Sequence, residues 1–193
     1  MQPPSVRSAT PAERDLVLQT VVLGFGADPL NRWFLGRAAT YLKTARPLFD
    51  AFGGGAIEAG SAYVTDNFEG AALWLPPGVE PDDEPIGPLL AEAIVPELIE
   101  DALRLFGEMQ SYHPTDPVWY LPLIAVDPAY QGRGLGSALM KHALAICDET
   151  NTPAYLESSN PQNMSLYERH GFKTMGQIQV GTSPPVHPMI REP

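Results

Sequence analysis

The most constraining stretch of this chain is residues 123–144. Leu123, Ile124, Ala125 and Val126 close an apolar run that stops at Asp127-Pro128, and glycines at alternate positions, Gly132, Gly134 and Gly136, then open a segment with apolar residues at helical spacing. The predicted order is strand, loop, helix. Three glycines let the backbone approach a ligand in conformations that a side chain forbids, and the first-turn amides of a helix have no internal partner. An anion satisfies those amides and gains from the positive end of the helix dipole. Arg133 adds a charge beside them.

Two familiar phosphate loops do not fit. The P-loop requires four residues between its glycines and then Gly-Lys-Ser/Thr, whereas Gly136-Ser137 has no lysine before the hydroxyl. The dinucleotide fingerprint requires Gly-x-Gly-x-x-Gly/Ala, but counting from Gly132 the last position is Ser137, and from Gly134 it is Leu139.

Composition narrows the remaining classes. With 44% hydrophobic and 18% charged residues the chain is globular, and at 193 residues it is expected to form one domain with a core that needs neither disulfide nor metal. Cys147 is the single cysteine and falls in an apolar-periodic segment, so it is expected to pack as a small hydrophobe. The first residues lack the apolar core of a secretory signal, and no run approaches the ~18 apolar residues of a membrane span, so a cytoplasmic protein is expected. Acidic residues outnumber basic ones, 23 to 12, which argues against nucleic acid and anionic membrane and is compatible with a cationic substrate. An anion would then have to be held by local donors rather than by net field.

From the N-terminus, Val6 to Ala9 is a strand candidate, and Thr10-Pro11-Ala12-Glu13 has the form of a capping box opening a helix to Phe25, with Leu16, Leu18, Val21, Val22 and Phe25 on its apolar face. Asp28-Pro29 repeats the signal for a second helix, and a third extends to Phe49. Residues 56–59, 61–66 and 71–75 are strand-like and are predicted to form an antiparallel meander. Residues 76–88, with five prolines and two glycines, are predicted to be an irregular exposed loop, and residues 89–109 a helical stretch restarted at Pro96. Residues 118–126 are apolar throughout, as in a strand covered on both faces, although Pro122 fits only an edge or a bulge. Residues 153–158 give a further strand, Asn160 opens a short helix ended by Gly171, and residues 173–180 and 188–191 are closing strands. This order predicts an α/β (α+β) fold with a mixed, mostly antiparallel sheet, a parallel pair at its centre and helices on both faces.

The loop Gln131-Gly132-Arg133-Gly134-Leu135-Gly136, directly after a strand ending Val126-Asp127-Pro128, resembles the acetyl-coenzyme A loop of the GNAT superfamily of N-acetyltransferases. A second resemblance follows at the expected distance, where Asn160 precedes a helix ending Leu166-Tyr167-Glu168-Arg169-His170-Gly171-Phe172. With Trp74-Leu75-Pro76-Pro77-Gly78 and the His113-Pro114 segment, the chain is similar to the bacterial branch that includes puromycin N-acetyltransferase; the first half matches only in its order of elements. The resemblance implies acetyl-CoA as cofactor, bound through Ile124, Ala125, Val126, the residues Gln131, Gly132, Arg133, Gly134, Leu135, Gly136 and Ser137, and Asn160 and Tyr167. It implies a single GNAT domain over residues 1–193, whose core at 118–180 holds the cofactor in a gap where the central strands splay apart. The first-half elements then wall the acceptor site, with Phe25, Asp28, Trp33 and Tyr120 as candidate substrate contacts.

By the same resemblance the reaction is direct acetyl transfer to a primary amine of a small molecule. Tyr167 would protonate the leaving thiolate, a backbone amide around residues 124–126 would stabilise the thioester oxygen, and Glu157 would take the proton of the incoming ammonium. His113, Tyr120 and a water relay are alternatives for the base. A protein or peptide acceptor, or a non-catalytic CoA-sensing module, are the competing functions. His142 and His170 have no metal-ligand partner at useful spacing, so no metal is expected. Apolar C-terminal strands offer a surface for a homodimer, which nothing in the sequence requires.

Overall fold

The computed structural model describes residues 4–193; residues 1–3, where the reading for a leader segment begins, lie outside them. Val6–Ser8 forms strand β1. The Thr10 amide donates to the Glu13 carboxylate at 2.8 Å, closing the expected box, and a 3-10 turn leads into α1, Arg14–Gly24. On α1 the expected face holds for Leu18, Val21, Val22 and Phe25, which lie in or against the core, while Leu16 is 48% exposed and Val17 and Thr20 are buried instead. Asp28 caps α2, Pro29–Leu35, and α3 runs Ala38–Gly53, four residues beyond Phe49.

Residues 56–59 are not a strand. Gly55–Glu58 is a helical turn, α4, whose Ala56 and Ile57 drop into the core below α3; an apolar stretch this short carries no period that separates helix from strand. Strands β2, Ala62–Thr65, and β3, Gly70–Leu75, form the expected hairpin.

The predicted loop over 76–88 is also corrected. Helix α5, Asp83–Ala93, begins inside it, capped by the Asp82 carboxylate. Pro85 stands in the first turn, where an amide has no helical partner to lose, so only Pro88 removes a bond. Ile86, Leu89 and Leu90 pack on the core and outweigh that loss. Helix α6, Ile99–Tyr112, follows after Pro96.

Strand β4, Trp119–Val126, is the axis of the sheet. Among the described residues the strand order is β1-β2-β3-β4-β5-β7-β6, with β5 Ala154–Ser158, β6 Lys173–Thr174 and β7 His187–Arg191; only the β4–β5 pair is parallel. Helix α7, Leu135–Glu149, joins β4 to β5, and α8, Met164–Arg169, follows β5. The long closing strand expected over 173–180 shrinks to two residues and an isolated bridge, Ile178 to Val186, and Tyr112 packs so closely on Gly176 between them that a Cβ there would not fit.

Helices cover both faces, giving two apolar layers. Leu73, Leu75, Leu123 and Ala125 meet α1 and α3 on one face, while Ala72, Trp74 and Leu121 meet Leu139 and Met140 of α7 on the other. In a regular strand Leu121 and Leu123 would share a face. They lie on opposite faces because the register slips between Leu73↔Leu123 and Leu75↔Tyr120, which puts an extra residue at Pro122. Parallel pairing to β5 is confined to Trp119 and Tyr120, so the two strands part at that bulge.

Candidate active site

A cavity of about 540 Å³ lies beneath the glycine loop, walled by Ile124, Ala125 and Val126 of β4, by the loop from Gln131 to Ser137 and by Tyr167 of α8. Gly132 and Gly134 have φ of +74° and +82°, and no atom lies within 4 Å of where a Cβ would stand. The amides from Gly132 to Ser137 donate to no protein acceptor among the described residues, while Ala138 is the first to bond back, to the Gly134 carbonyl. Free amides and the α7 dipole therefore point at one open space. On the opposite wall α1 passes so close to β4 that a Cβ at Gly24 would stand 2.6 Å from Ala125 Cβ.

The other expected cofactor residues differ in what they do. Gln131 turns its amide back to the Val126 carbonyl at 3.3 Å, and Arg133 does not line the cavity: it donates to the Ala129 carbonyl and lies over the Tyr130 ring. Ser137 Oγ sits 2.8 Å from His170 Nε2. Asn160 accepts from the Gln162 amide at 3.0 Å, the geometry of a cap, and is likewise absent from the wall. Tyr167 is 5% exposed, and burial, with the negative charge of Asp28, pushes its phenol above the usual range.

A second space abuts the first along β4. Pro122 and Leu123 line it where the next three residues line the first cavity, and Phe25 lines it beside Gly24. A narrow inner part of about 80 Å³ and an outer part of about 380 Å³ share the walls Phe52, Leu90, Phe106, Met109, Tyr120 and Glu157. Burial raises the Glu157 carboxyl to about 7, although the Tyr120 phenol draws it back down. Among the described residues Tyr155 Oη is buried without a hydrogen-bond partner. The His113 ring stands edge-on to both tyrosines at 4.9 Å, and its burial lowers its pKa.

Of the expected acceptor contacts, Phe25 and Tyr120 line this second space. Asp28 lies one layer behind it, 6% exposed, holding Asn31 through Oδ1 and the Ser159 hydroxyl through Oδ2 at 2.6 Å. Trp33 is turned toward Thr182, to which its Nε1 donates, and does not reach the cavities. Sequence reasoning missed Phe49 and Phe52 of α3 and Phe106 and Met109 of α6. Each pair is spaced i, i+3 on one helix face, a pattern that ordinary core shares and that therefore does not by itself mark a site.

The Acetyltransferase (GNAT) family matches residues 58–172, more than half of the chain. The chain belongs to the GNAT family. It is 37% identical over 81 residues to an uncharacterized N-acetyltransferase of Schizosaccharomyces pombe, covering 40% of this chain and 33% of that protein. It is 32% identical over 111 residues to a mycothiol acetyltransferase of Thermomonospora curvata, covering 56% and 35%. The chain thus spans about a third of the length of these curated relatives. Among solved structures, a Corynebacterium glutamicum protein described as histone acetyltransferase HPA2 and related acetyltransferase superposes with a TM-score of 0.69 at 27% identity, covering 98% of this chain and 96% of that one. The C-terminal condensation domain of Ebony superposes with a TM-score of 0.75 at 16% identity over the full length of both chains, a likeness of fold.

GNAT enzymes use acetyl-CoA as acyl donor, and the residues here suit that group. A row of unpartnered amides at a helix N-terminus would donate to a pyrophosphate, the two positive-φ glycines keep the approach clear, and the gap between β4 and β5 leaves room for an extended arm. No helix among the described residues is long and apolar enough to cross a membrane.

Proposed function

We propose that this chain transfers the acetyl group of acetyl-CoA to a primary amine of a small molecule, by direct attack while both are bound. Acetyl-CoA supplies an activated thioester carbonyl. The amides of Gly132 to Ser137 hold its pyrophosphate. Beyond Tyr120 the side of β4 turned away from β3 has no β5 partner, so an amide of residues 124–126 on that side is free to donate to the carbonyl oxygen as charge grows there. Glu157 takes a proton from the incoming ammonium and frees the lone pair that attacks. Tyr167, in the wall of the cavity beneath the glycine loop, gives its proton to the departing sulfur and regains one from the nitrogen, which sheds its second proton as the amide forms.

The observation that carries this reading is Glu157. Its carboxylate stands in the wall of the acceptor cavity, on the strand that parts from β4, with a pKa of about 7 that suits proton removal near neutrality. The test is thermal unfolding with acetyl-CoA, CoA, ATP and NAD, followed by thiol release with an amine panel. A ligand at ~100 times its Kd adds ~2.7 kcal/mol. Stabilisation by the two CoA species alone, with amine-dependent thiol release that the Glu157→Gln variant loses, is the expected result. No stabilisation by either CoA species overturns the cofactor assignment. A peptide panel belongs in the same assay, because the similar C. glutamicum protein is described as a histone acetyltransferase.

A further inference from the structure

We infer that the acceptor is an amine with an apolar body of aromatic size and no anionic group, so that arylalkylamines are acetylated and their parent amino acids are refused. The inference rests on the acetyl-transfer reading and narrows it to a substrate class.

The inner part of the acceptor space is walled by the rings of Phe25, Phe49 and Phe106 and by Tyr120, and among the described residues Glu157 is its single charged one. Phe25 and Phe49 are in contact, with centroids 5.2 Å apart and a tilted geometry. A rigid apolar group extending from an amine held at Glu157 meets rings and Met109 on the way outward. The outer part, at about 380 Å³, falls within the range of ~300–1,000 Å³ of small-molecule pockets. Its apolar wall continues through Ile86, Leu90 and Leu103.

Charge supplies the discrimination. The titratable residues that line the two parts are Glu157, Glu80, Asp83, Tyr120 and His113, and no lysine or arginine lines either part among the described residues. A carboxylate on the α-carbon of the acceptor must lie within two bonds of the amine, hence beside Glu157. There it would lose its hydration, meet a second negative charge and find no cation. Leaving a buried charge without a partner costs ~3–5 kcal/mol, which is roughly a 10²-fold or greater loss. A neutral amide at the same position carries none of this penalty.

The test compares kcat/KM for 2-phenylethylamine and tryptamine with phenylalanine, tryptophan and their carboxamides, and with ethylamine, by thiol release from acetyl-CoA. The expected result is that each arylalkylamine exceeds its amino acid by ~10²-fold or more, that the carboxamides recover most of that loss, and that ethylamine, lacking the apolar body, falls well below 2-phenylethylamine. An amino acid within 10-fold of its amine, or ethylamine used as well as the aryl compounds, overturns the inference while the acetyl-transfer reading stands. Acetyl-CoA binding in thermal unfolding without transfer to any arylalkylamine also overturns it, and absence of that binding removes the acetyl-transfer reading itself. A second arm uses Gln110→Arg, which brings a cation to the outer wall from an exposed position on α6. The ratio of amine to amino acid should shrink by ~10-fold if charge is the discriminator, and an unchanged ratio counts against it.

Discussion

Glu157 is subject to two opposed demands, and both can be measured. As the proposed base it must be ionised, yet its burial favours the neutral form and raises its pKa to about 7. Activity should therefore fall as pH drops through about 7, and Glu157→Gln should lower kcat by ~10²–10⁴-fold and remove that acid limb. The sign for stability is the reverse of the usual carboxylate. A pKa raised on folding favours the native state fully below the unfolded value, and the advantage is lost as pH rises through about 7. Glu157→Gln should thus melt higher than the parent at pH 8, by roughly 1–3 kcal/mol after allowing for solvent at the cavity wall, and no higher at pH 4. A variant that loses activity and stability together at pH 8 would make Glu157 a structural residue. Tyr167→Phe is a separate case: ~10²-fold or greater loss in kcat with acetyl-CoA affinity kept is expected if the phenol protonates sulfur, and an unchanged rate removes that role.

The glycine loop and the helix it opens can be tested as a unit. Gly134 has φ of +82°, so Gly134→Val strains the turn and puts a branched side chain before the α7 amides. Calorimetry should find acetyl-CoA binding abolished, and circular dichroism an unchanged fold. Gly24→Ala acts from the opposite wall, where a Cβ 2.6 Å from Ala125 Cβ must push α1 off β4. A loss of ~1–3 kcal/mol in unfolding free energy is expected there. These elements were legible in the sequence because the backbone demand is local: a glycine spacing, a cap such as Asp28, a proline such as Pro122 in an apolar strand. What was not legible depended on partners far along the chain. Ala56 and Ile57 became a helical turn because α3 and β2 must be joined under a core that both enter, and α5 tolerates Pro88 because its apolar face lies on α3. Likewise the apolar pattern of residues 173–180 predicts a strand, but only Lys173–Thr174 pairs, and Gly176 lies under Tyr112, some sixty residues earlier in the chain. The cofactor side of the candidate site follows from contiguous motifs, whereas the acceptor side is assembled from α1, α3, α6 and β4, and its aromatic residues look like core until the cavity between them is seen.

At the scale of the whole molecule the two proposed substrates carry opposite charge toward a protein of net charge −11. On the proposed reading the amides of the loop hold a phosphate at short range, but at the distances where encounter is decided the surplus carboxylates repel it. The same field draws a cationic amine toward a cleft that has Glu80 and Asp83 on its outer wall. Screening must therefore act on the two in opposite senses, since the Debye length is ~10 Å at 0.1 M and shortens as salt is added. Raising sodium chloride from roughly 20 to roughly 200 mM should increase the association rate of acetyl-CoA by ~2–5-fold and raise the KM of the amine by a similar factor. Stopped-flow binding of the cofactor and steady-state kinetics on the amine, in the same buffers, read both quantities. A steep loss of acetyl-CoA affinity with salt would mean that cations near the loop, with Arg169 on its cavity wall the first to test, govern capture instead of the amides. In that event Arg169→Gln should flatten the salt dependence, whereas under the amide-based account it should leave the slope where it was.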